Sequence, residues 1–235
     1  MPPEKQILVI QHTVTEKLGI LEQHLKNINV TYNYVKPFLG DILPANSNEF
    51  AGLIVLGGPQ SGYQEMEYPY LIDEKRYIKQ ALQKNTPILG ICLGSQLIAE
   101  CLGSKIYPDA QMQIGWNEVH LSENTIAKAY DSELSHTIKP LHWHQDIYEI
   151  PRDSISLGYS KFTESEGFIY KNNVLGLLFH LEPTLDQIKE MIHAFPDDVL
   201  ASKINKKYFI KESEKNIVQM HRSGNVIFSK WCALL

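Results

Sequence analysis

Apolar and polar positions follow two different spacings along the first hundred residues. Short, almost continuous apolar runs predict buried strands, and runs with apolar positions three or four apart predict helices. The predicted strands span residues 6–11, 30–35, 52–56 and 87–91, and the predicted helices span residues 16–26, 70–83 and 95–102. Because apolar strands that alternate with helices are usually parallel and buried on both faces, this order predicts an open parallel sheet between two layers of helices.

The pattern changes in the second half of the chain. Between residues 105 and 180, short β-like runs recur with turn signals such as Lys171-Asn172-Asn173, which predicts antiparallel hairpins beside the main sheet. After Thr184 the pattern is helical, with helices predicted at 185–193, 197–205 and 212–222 and a last piece after Gly224. No repeat or long linker divides the 235 residues, so one α/β domain over residues 1–235 is predicted.

The fourth predicted strand runs directly into a helix at Gly90-Ile91-Cys92-Leu93-Gly94. Glycines on both sides of the cysteine permit a sharp turn, which predicts that Cys92 lies on a strained elbow with an exposed sulfur. The start of the helix would lie close to that sulfur and favour the thiolate, the nucleophilic form. Cys92 is therefore predicted to be a nucleophile, whereas Cys101 and Cys232 are predicted to be ordinary buried cysteines.

A base for this nucleophile follows the apolar segment 173–179, where the sequence reads His180-Leu181-Glu182-Pro183. Side chains two positions apart on a strand share a face, so Glu182 can orient His180 and stabilise its imidazolium form. The two segments together predict a triad of Cys92, His180 and Glu182.

These segments resemble the class I glutamine amidotransferase family, in particular free-standing members related to the amidotransferase half of GMP synthase. The family's Cys-His-Glu triad has this chain order, and Gly57-Gly58-Pro59 is similar to the family's oxyanion-binding turn. Gly115-Trp116 and residues 142–146 match further family segments. The resemblance covers about residues 5–194, the catalytic part, and leaves residues 195–235 as a helical extension. It implies a flavodoxin-like, mostly parallel sheet with a small antiparallel addition.

The resemblance also implies a role for individual residues. Cys92 would attack the γ-amide of glutamine or of another γ-glutamyl compound, with His180 and Glu182 completing the triad. The backbone N–H groups of Gly58 and Leu93 would form the oxyanion hole. Substrate contacts are implied for Gly57, Gln96, His144, Gln145 and Asp146.

His142 and His144 share a strand face and could be taken for metal ligands. No third ligand lies at a typical sequence spacing, and no pair of cysteines has metal-site spacing, so no metal site is predicted. The resemblance also implies no cofactor.

Composition excludes several classes of partner. A net charge of −5 and an isoelectric point near 6.0 argue against a nucleic-acid surface, and no apolar stretch has the length of a membrane span. Three cysteines and no signal peptide indicate a reducing compartment, which predicts a cytoplasmic location.

Three functions remain open from the sequence. The preferred one is a free-standing hydrolase or transferase of γ-glutamyl compounds, because the residues after Pro183 contain no glycine-rich phosphate loop of a fused synthetase. The second is a glutaminase subunit that supplies ammonia to a separate synthetase. The third is a regulatory binding protein on the same fold, which an intact triad argues against.

Overall fold

The computed structural model describes residues 6–125 and 134–235. Within these residues the strands are β1 (Gln6–Ile10), β2 (Thr31–Val35), β3 (Gly52–Val55), β4 (Ile88–Ile91), β5 (Ile106–Trp116), β6 (Val119–Leu121), β7 (Thr137–Ile138), β8 (Leu141–Tyr148), β9 (Ser154–Ser156), β10 (Gly158–Tyr159), β11 (Gly167–Tyr170) and β12 (Val174–Leu177). The helices are α1 (Leu21–Asn27), α2 (Tyr70–Gln83), α3 (Leu93–Cys101), the short α4 (Glu123–Thr125), α5 (Leu185–Ala194), α6 (Pro196–Ala201) and α7 (Lys206–Cys232).

The main sheet has seven strands in the order β2-β1-β3-β4-β12-β11-β9. Strands β1 to β4 and β12 run parallel, whereas β11 pairs antiparallel with both β12 and β9. Two smaller antiparallel units, β5 with β8 and β10-β6-β7, are separate from this sheet. The predicted mostly parallel sheet with an antiparallel addition is confirmed. Because parallel strands end at one edge, the segments that follow β1, β3, β4 and β12 come together there.

Two apolar cores lie on opposite faces of the main sheet. Ile7 and Val9 of β1 belong to the core that includes side chains of α1, α5 and α7, whereas Leu8 and Ile10 belong to the core that includes side chains of α2 and α3. Successive side chains of a strand point to opposite faces. Helices therefore cover both faces, as the continuous apolar strands predict.

The helix predicted to start at residue 16 begins only at Leu21. Gly19 has a φ of 54°, and a Cβ at this position would lie 1.8 Å from the backbone oxygen of Glu182. The N–H of Ile20 donates to the same oxygen at 2.9 Å. Residues 11–18 therefore form a loop at the carboxyl end of β1, and this loop carries Glu16 to the edge of the sheet where Cys92 lies.

The C-terminal helices also differ from the prediction. Helix α6 ends at Ala201 rather than near residue 205, and α7 runs unbroken through Gly224. A Cβ on Gly224 would lie 3.0 Å from the backbone oxygen of Leu181, so this glycine permits close packing rather than ending a helix. Among the helices in residues 6–125 and 134–235, none is both long and apolar enough to cross a bilayer.

Candidate active site

Cys92 occupies the sharp turn between β4 and α3. Its φ and ψ are 50° and −112°, a conformation that residues with a side chain rarely adopt, so the cysteine itself carries the strain of the elbow. The flanking glycines have another role, since a Cβ on Gly94 would lie 2.0 Å from the backbone oxygen of Val55 and one on Gly90 would lie 2.7 Å from Gly94. They allow α3 to pack directly on β3 and β4.

His180 lies three residues beyond the end of β12 rather than on the strand itself. Its N–H donates to the backbone oxygen of Leu141 at 2.8 Å, and its own carbonyl accepts from the Leu141 N–H at 3.1 Å, so β8 fixes its position. Nδ1 of His180 lies 2.6 Å from Oε1 of Glu182, and the Leu181 N–H donates to Oε2 at 3.0 Å. Nε2 of His180 has no hydrogen-bond partner in the described part of the chain, and Cys92 lies close enough to this ring to raise its pKa. The Cys92 sulfur itself donates to the backbone oxygen of Trp143 at 3.5 Å.

Burial acts against charge on both reacting groups. The Cys92 side chain is almost fully buried, which raises the pKa of its thiol, and contact with His180 and the Leu93 N–H only reduces that rise. The start of the helix does favour the thiolate, through the Leu93 N–H, but burial outweighs this effect. The prediction of an exposed sulfur is wrong, because Cys92 is only 5% exposed. Burial also disfavours a charged His180, but Glu182 and Cys92 together outweigh it and hold the pKa of that imidazole well above its usual range. Glu182 thus favours transfer of the thiol proton to His180.

The turn of Gly57 and Gly58 follows β3 and lies against Cys92. A Cβ on Gly57 would lie 1.9 Å from Oε2 of Glu16 and 3.2 Å from Cβ of Cys92, so only glycine fits between them. The N–H of Leu93, the first residue of α3, interacts with the Cys92 sulfur. The two predicted oxyanion-hole residues therefore lie on neighbouring elements beside the thiol.

A buried histidine–carboxylate pair holds this turn in place. Nδ1 of His12 lies 3.1 Å from the carbonyl oxygens of both Leu56 and Gly57, while its Nε2 lies 2.9 Å from Glu74 on α2. Burial disfavours the charged ring, but Glu74 outweighs it and raises the pKa of His12. The C=O and N–H of one trans peptide point in opposite directions, so anchoring the Gly57 carbonyl directs the Gly58 N–H away from His12.

Four of the five predicted substrate-binding residues line one cleft with Cys92 and Gly58, namely Gln96, His144, Gln145 and Asp146. The fifth, Gly57, is not among the lining residues of this cleft. Nε2 of Gln96 donates to the backbone oxygen of Asp146 at 3.3 Å, and the Tyr63 hydroxyl donates to Oδ1 of Asp146 at 3.2 Å. Oε1 of Gln96 has no partner among the residues described, which leaves it available to a ligand. Burial and the nearby His142 lower the pKa of His144 to about 4, so its ring is neutral at physiological pH.

The cleft also has lining residues that the sequence did not single out, among them Glu16, Trp143, Phe195 and Asp198. Glu16 is 8% exposed, and its Oε2 has no hydrogen-bond partner in the described ranges. Burial, opposed by His180, raises the pKa of Glu16 to about 7. The position of Glu16 after the first predicted strand was the one feature of the sequence that could have indicated a place in the site. Phe195 and Asp198 belong to the predicted C-terminal extension, where no sequence pattern connects them to Cys92.

One of the reasons for predicting no metal site does not hold in the folded chain. Glu166 supplies the third group that the sequence spacing did not reveal, and the ligand atoms of His142, His144 and Glu166 lie within 4.8 Å of one another. His142 Nε2 is 3.3 Å from Oε2 of Glu166, so these two already form a buried hydrogen-bonded pair that accounts for their proximity. That the protein binds no metal stays a prediction.

Comparison with known proteins places this site in a family. The family model for class-I glutamine amidotransferases matches residues 15–196. The glutamine amidotransferase-like protein YfeJ of Salmonella typhimurium is 29% identical over 186 residues, which are 78% of each chain. Gamma-glutamyl peptidase 4 of Arabidopsis thaliana is 27% identical, over 78% of this chain and 72% of the peptidase. A crystal structure of a Thermotoga maritima glutamine amidotransferase is 28% identical and superposes with a TM-score of 0.87, covering 98% of both chains. The protein belongs to the class I glutamine amidotransferase family.

Proposed function

We infer that the protein hydrolyses or transfers at the γ-amide of glutamine or another γ-glutamyl compound, through a γ-glutamyl thioester on Cys92, without a synthetase partner. One observation carries this proposal. Glu182 holds Nδ1 of His180 at 2.6 Å, and the other ring nitrogen is left without a hydrogen-bond partner in the described residues, beside Cys92, whose side chain lines the cleft. This arrangement of nucleophile, base and orienting carboxylate is the one that acyl transfer through a cysteine needs.

In the first half of the reaction Cys92 gives its proton to Nε2 of His180, and the thiolate attacks the γ-carbonyl carbon of the substrate. The N–H groups of Gly58 and Leu93 stabilise the oxyanion that forms. The imidazolium then gives its proton to the amide nitrogen as the C–N bond breaks. Ammonia or an amine leaves, and a γ-glutamyl thioester remains on the sulfur.

In the second half water attacks the thioester carbon while His180 takes one of its protons. The C–S bond breaks, glutamate leaves, and the proton on the ring returns to Cys92. Glu182 stabilises the imidazolium in both halves, which is why its contact with Nδ1 matters twice in one turnover.

The glutamyl part of the substrate has polar groups available at one end of the cleft. Gln96 and Asp146 lie there, and the free Oε1 of Gln96 can accept a hydrogen bond from the substrate's α-ammonium group. His144 is neutral and buried beside them, so it adds no charge that would repel the ammonium.

The contacts that hold the turn of Gly57 and Gly58, the oxyanion turn, support activity without a partner. The carbonyl of Gly57 is anchored by His12, and His12 is anchored by Glu74, so contacts within this chain already fix the turn. A site that waits for a synthetase would be expected to complete its geometry only on assembly. The similarity to a γ-glutamyl peptidase points the same way.

The proposal is tested by giving the purified protein glutamine and a panel of γ-glutamyl amides and peptides, without ATP or a partner, and measuring the release of glutamate. We expect turnover on at least one γ-glutamyl compound to exceed turnover on glutamine, and expect no turnover by Cys92→Ala. Inactivity on the whole panel, followed by activity when a co-purifying synthetase is added, would establish the ammonia-supplying subunit instead. Inactivity with tight binding of an effector would favour a regulatory protein.

A further inference from the structure

We propose that the part of the cleft lined by Glu16 and Asp198 is a subsite for a positively charged amine, so that the substrates are γ-glutamyl amides whose leaving amine carries a second, cationic group. The proposal rests on the γ-glutamyl hydrolysis argued above and adds the chemical class of the amine that is released. It is carried by Glu16 and Asp198.

Two separate hydrogen-bonded groups of side chains contribute to the lining of the cleft. Gln96, Asp146 and Tyr63 are connected by hydrogen bonds in the first group. In the second group Nε1 of Trp143 donates to Oδ2 of Asp198 at 3.0 Å, and Asp198 lies close enough to Glu16 to affect its pKa. Since we assign the first group to the glutamyl end of the substrate, the second group is left for the amine that leaves.

The charges that line the cleft are of one sign. Three carboxylates line it, those of Glu16, Asp146 and Asp198, and neither lysine nor arginine is found among its described lining residues. His144, the one lining histidine, is neutral at physiological pH. A leaving group that ends in a carboxylate would be repelled and would find no basic partner, whereas one that ends in an ammonium group would be attracted.

The burial of Glu16 distinguishes this part of the cleft from an ordinary acidic surface. Its side chain is buried beside Gly57 and Cys92, and Oε2 lacks a hydrogen-bond partner in residues 6–125 and 134–235. A buried carboxylate without a donor is costly, and the cost is reduced when a cation binds to it. The backbone of the loop that carries Glu16 is positioned by Gly19 and Ile20 against the Glu182 backbone and by Gln11, whose Nε2 donates to the Glu16 carbonyl at 2.7 Å.

The charge of Glu16 depends on pH in the working range of the enzyme. The groups that act on it are His12 after β1, Cys92 after β4, His180 and Glu182 after β12, and Asp198 on α6. Their combined effect with burial is a pKa of about 7. The subsite should therefore attract a cation more strongly as the pH rises through 7.

The test is a series of γ-glutamyl amides of equal chain length whose amine part ends in an ammonium, a methyl or a carboxylate group. We expect kcat/KM to be about tenfold or more higher for the ammonium amide than for the methyl amide, and lowest for the carboxylate amide. The ratio of the KM values for the methyl and ammonium amides should rise between about pH 6 and pH 8. Using a ratio removes the titrations of Cys92 and His180, which both substrates share.

Glu16→Gln keeps the shape of the side chain and removes its charge. We expect the preference for the ammonium amide to fall toward that of a neutral site and its pH dependence to disappear. Asp197→Asn is the matched control, because Asp197 is the exposed neighbour of Asp198 on α6 and does not line the cleft. It should keep both the preference and its pH dependence.

The outcomes separate this inference from the function on which it rests. Hydrolysis of all three amides at similar kcat/KM, or a preference for the carboxylate amide, would overturn the cationic subsite and leave γ-glutamyl hydrolysis standing. An equal rise in KM for glutamine and for every amide in Glu16→Gln would assign Glu16 to the substrate's α-ammonium group and also overturn it. Failure of every amide, with no covalent label on Cys92, would reject the proposed function itself.

Discussion

The buried carboxylates near the cleft differ in whether they have a hydrogen-bonding partner within the described part of the chain. Glu74, Glu166 and Glu182 each lie against an imidazole, those of His12, His142 and His180 respectively. Glu16 is buried among the same elements, yet its Oε2 has no hydrogen-bond donor within the described residues. A carboxylate that is paired within the chain stabilises the geometry of the site, whereas one that is left unpaired reduces stability and is retained where it serves a ligand.

Breaking a paired carboxylate of the triad should have the largest effect on turnover. Glu182→Gln should lower kcat on the order of 10²- to 10⁴-fold, because an amide has no charge to stabilise the imidazolium. His180→Ala should lower kcat further, because the amide oxygen in Glu182→Gln can still accept the Nδ1–H of His180 in one orientation. Steady-state glutamate release measures both. Equal activity of Glu182→Ala and the unmodified protein would show that Glu182 is not the third member.

Breaking the pair that holds the oxyanion turn should affect both folding and activity. Glu74→Gln removes the carboxylate that raises the pKa of the buried His12, so the ring loses its charge and the pair loses a charge-assisted hydrogen bond. This change should lower the free energy of unfolding by about 1.5–3 kcal/mol. Urea unfolding at neutral pH measures this change. Glu190→Gln, which alters an exposed ion pair with Lys17, is the control and should change stability by less than about 1 kcal/mol. A similar small loss in Glu74→Gln would mean that the turn does not depend on this pair.

Removing the unpaired carboxylate of Glu16 should raise the free energy of unfolding rather than lower it. In the folded chain the pKa of Glu16 is raised to about 7, so the unfolded chain releases this proton at a lower pH than the folded chain. The contribution of Glu16 to the free energy of unfolding therefore decreases as the pH rises to 7. Above that range Glu16→Gln should therefore be more stable than the unmodified protein by roughly 3 kcal/mol, and near pH 4 the two should be equal. Thermal unfolding across this pH range provides the measurement. A variant that is less stable at high pH would show that Glu16 is paired.

The other two cysteines should have the smallest effects on turnover. Burial raises the pKa values of the Cys101 and Cys232 thiols to about 12, and neither residue lines the cleft. Replacing each by serine should leave kcat within about twofold, because neither is positioned to act on a substrate. A large loss of kcat in either variant, with the fold intact by circular dichroism, would contradict a single essential cysteine.

The parts of the site that the sequence predicted are those encoded locally. Cys92 lies between glycines at a strand end, and Glu182 is two residues from His180, so short segments indicate both. The parallel part of the main sheet was predictable in the same way, from apolar strands that alternate with helices, whereas the sequence did not indicate that the antiparallel strands β11 and β9 extend this same sheet. The start of α1 was placed too early because helical spacing does not reveal the close contact of Gly19 with Glu182.

The parts that the sequence missed depend on contacts between distant segments. Glu74 reaches His12 across 62 positions, and Glu166 reaches His142 across 24. Asp198 joins the cleft only because α6 packs beside Trp143. The exposure of the Cys92 sulfur was predicted wrongly for the same reason. The motif locates the start of a helix near Cys92, but it does not indicate how completely the sulfur is buried.

The central claim is that Cys92 alone forms a covalent γ-glutamyl intermediate. The most direct measurement is to treat the protein with the glutamine-like electrophile diazo-oxo-norleucine and to locate the adduct by peptide mass spectrometry. The account predicts one label per chain, on Cys92, no label in Cys92→Ala, and loss of glutamate release in proportion to labelling. A label on Cys101 or Cys232, or full labelling with activity retained, would contradict it.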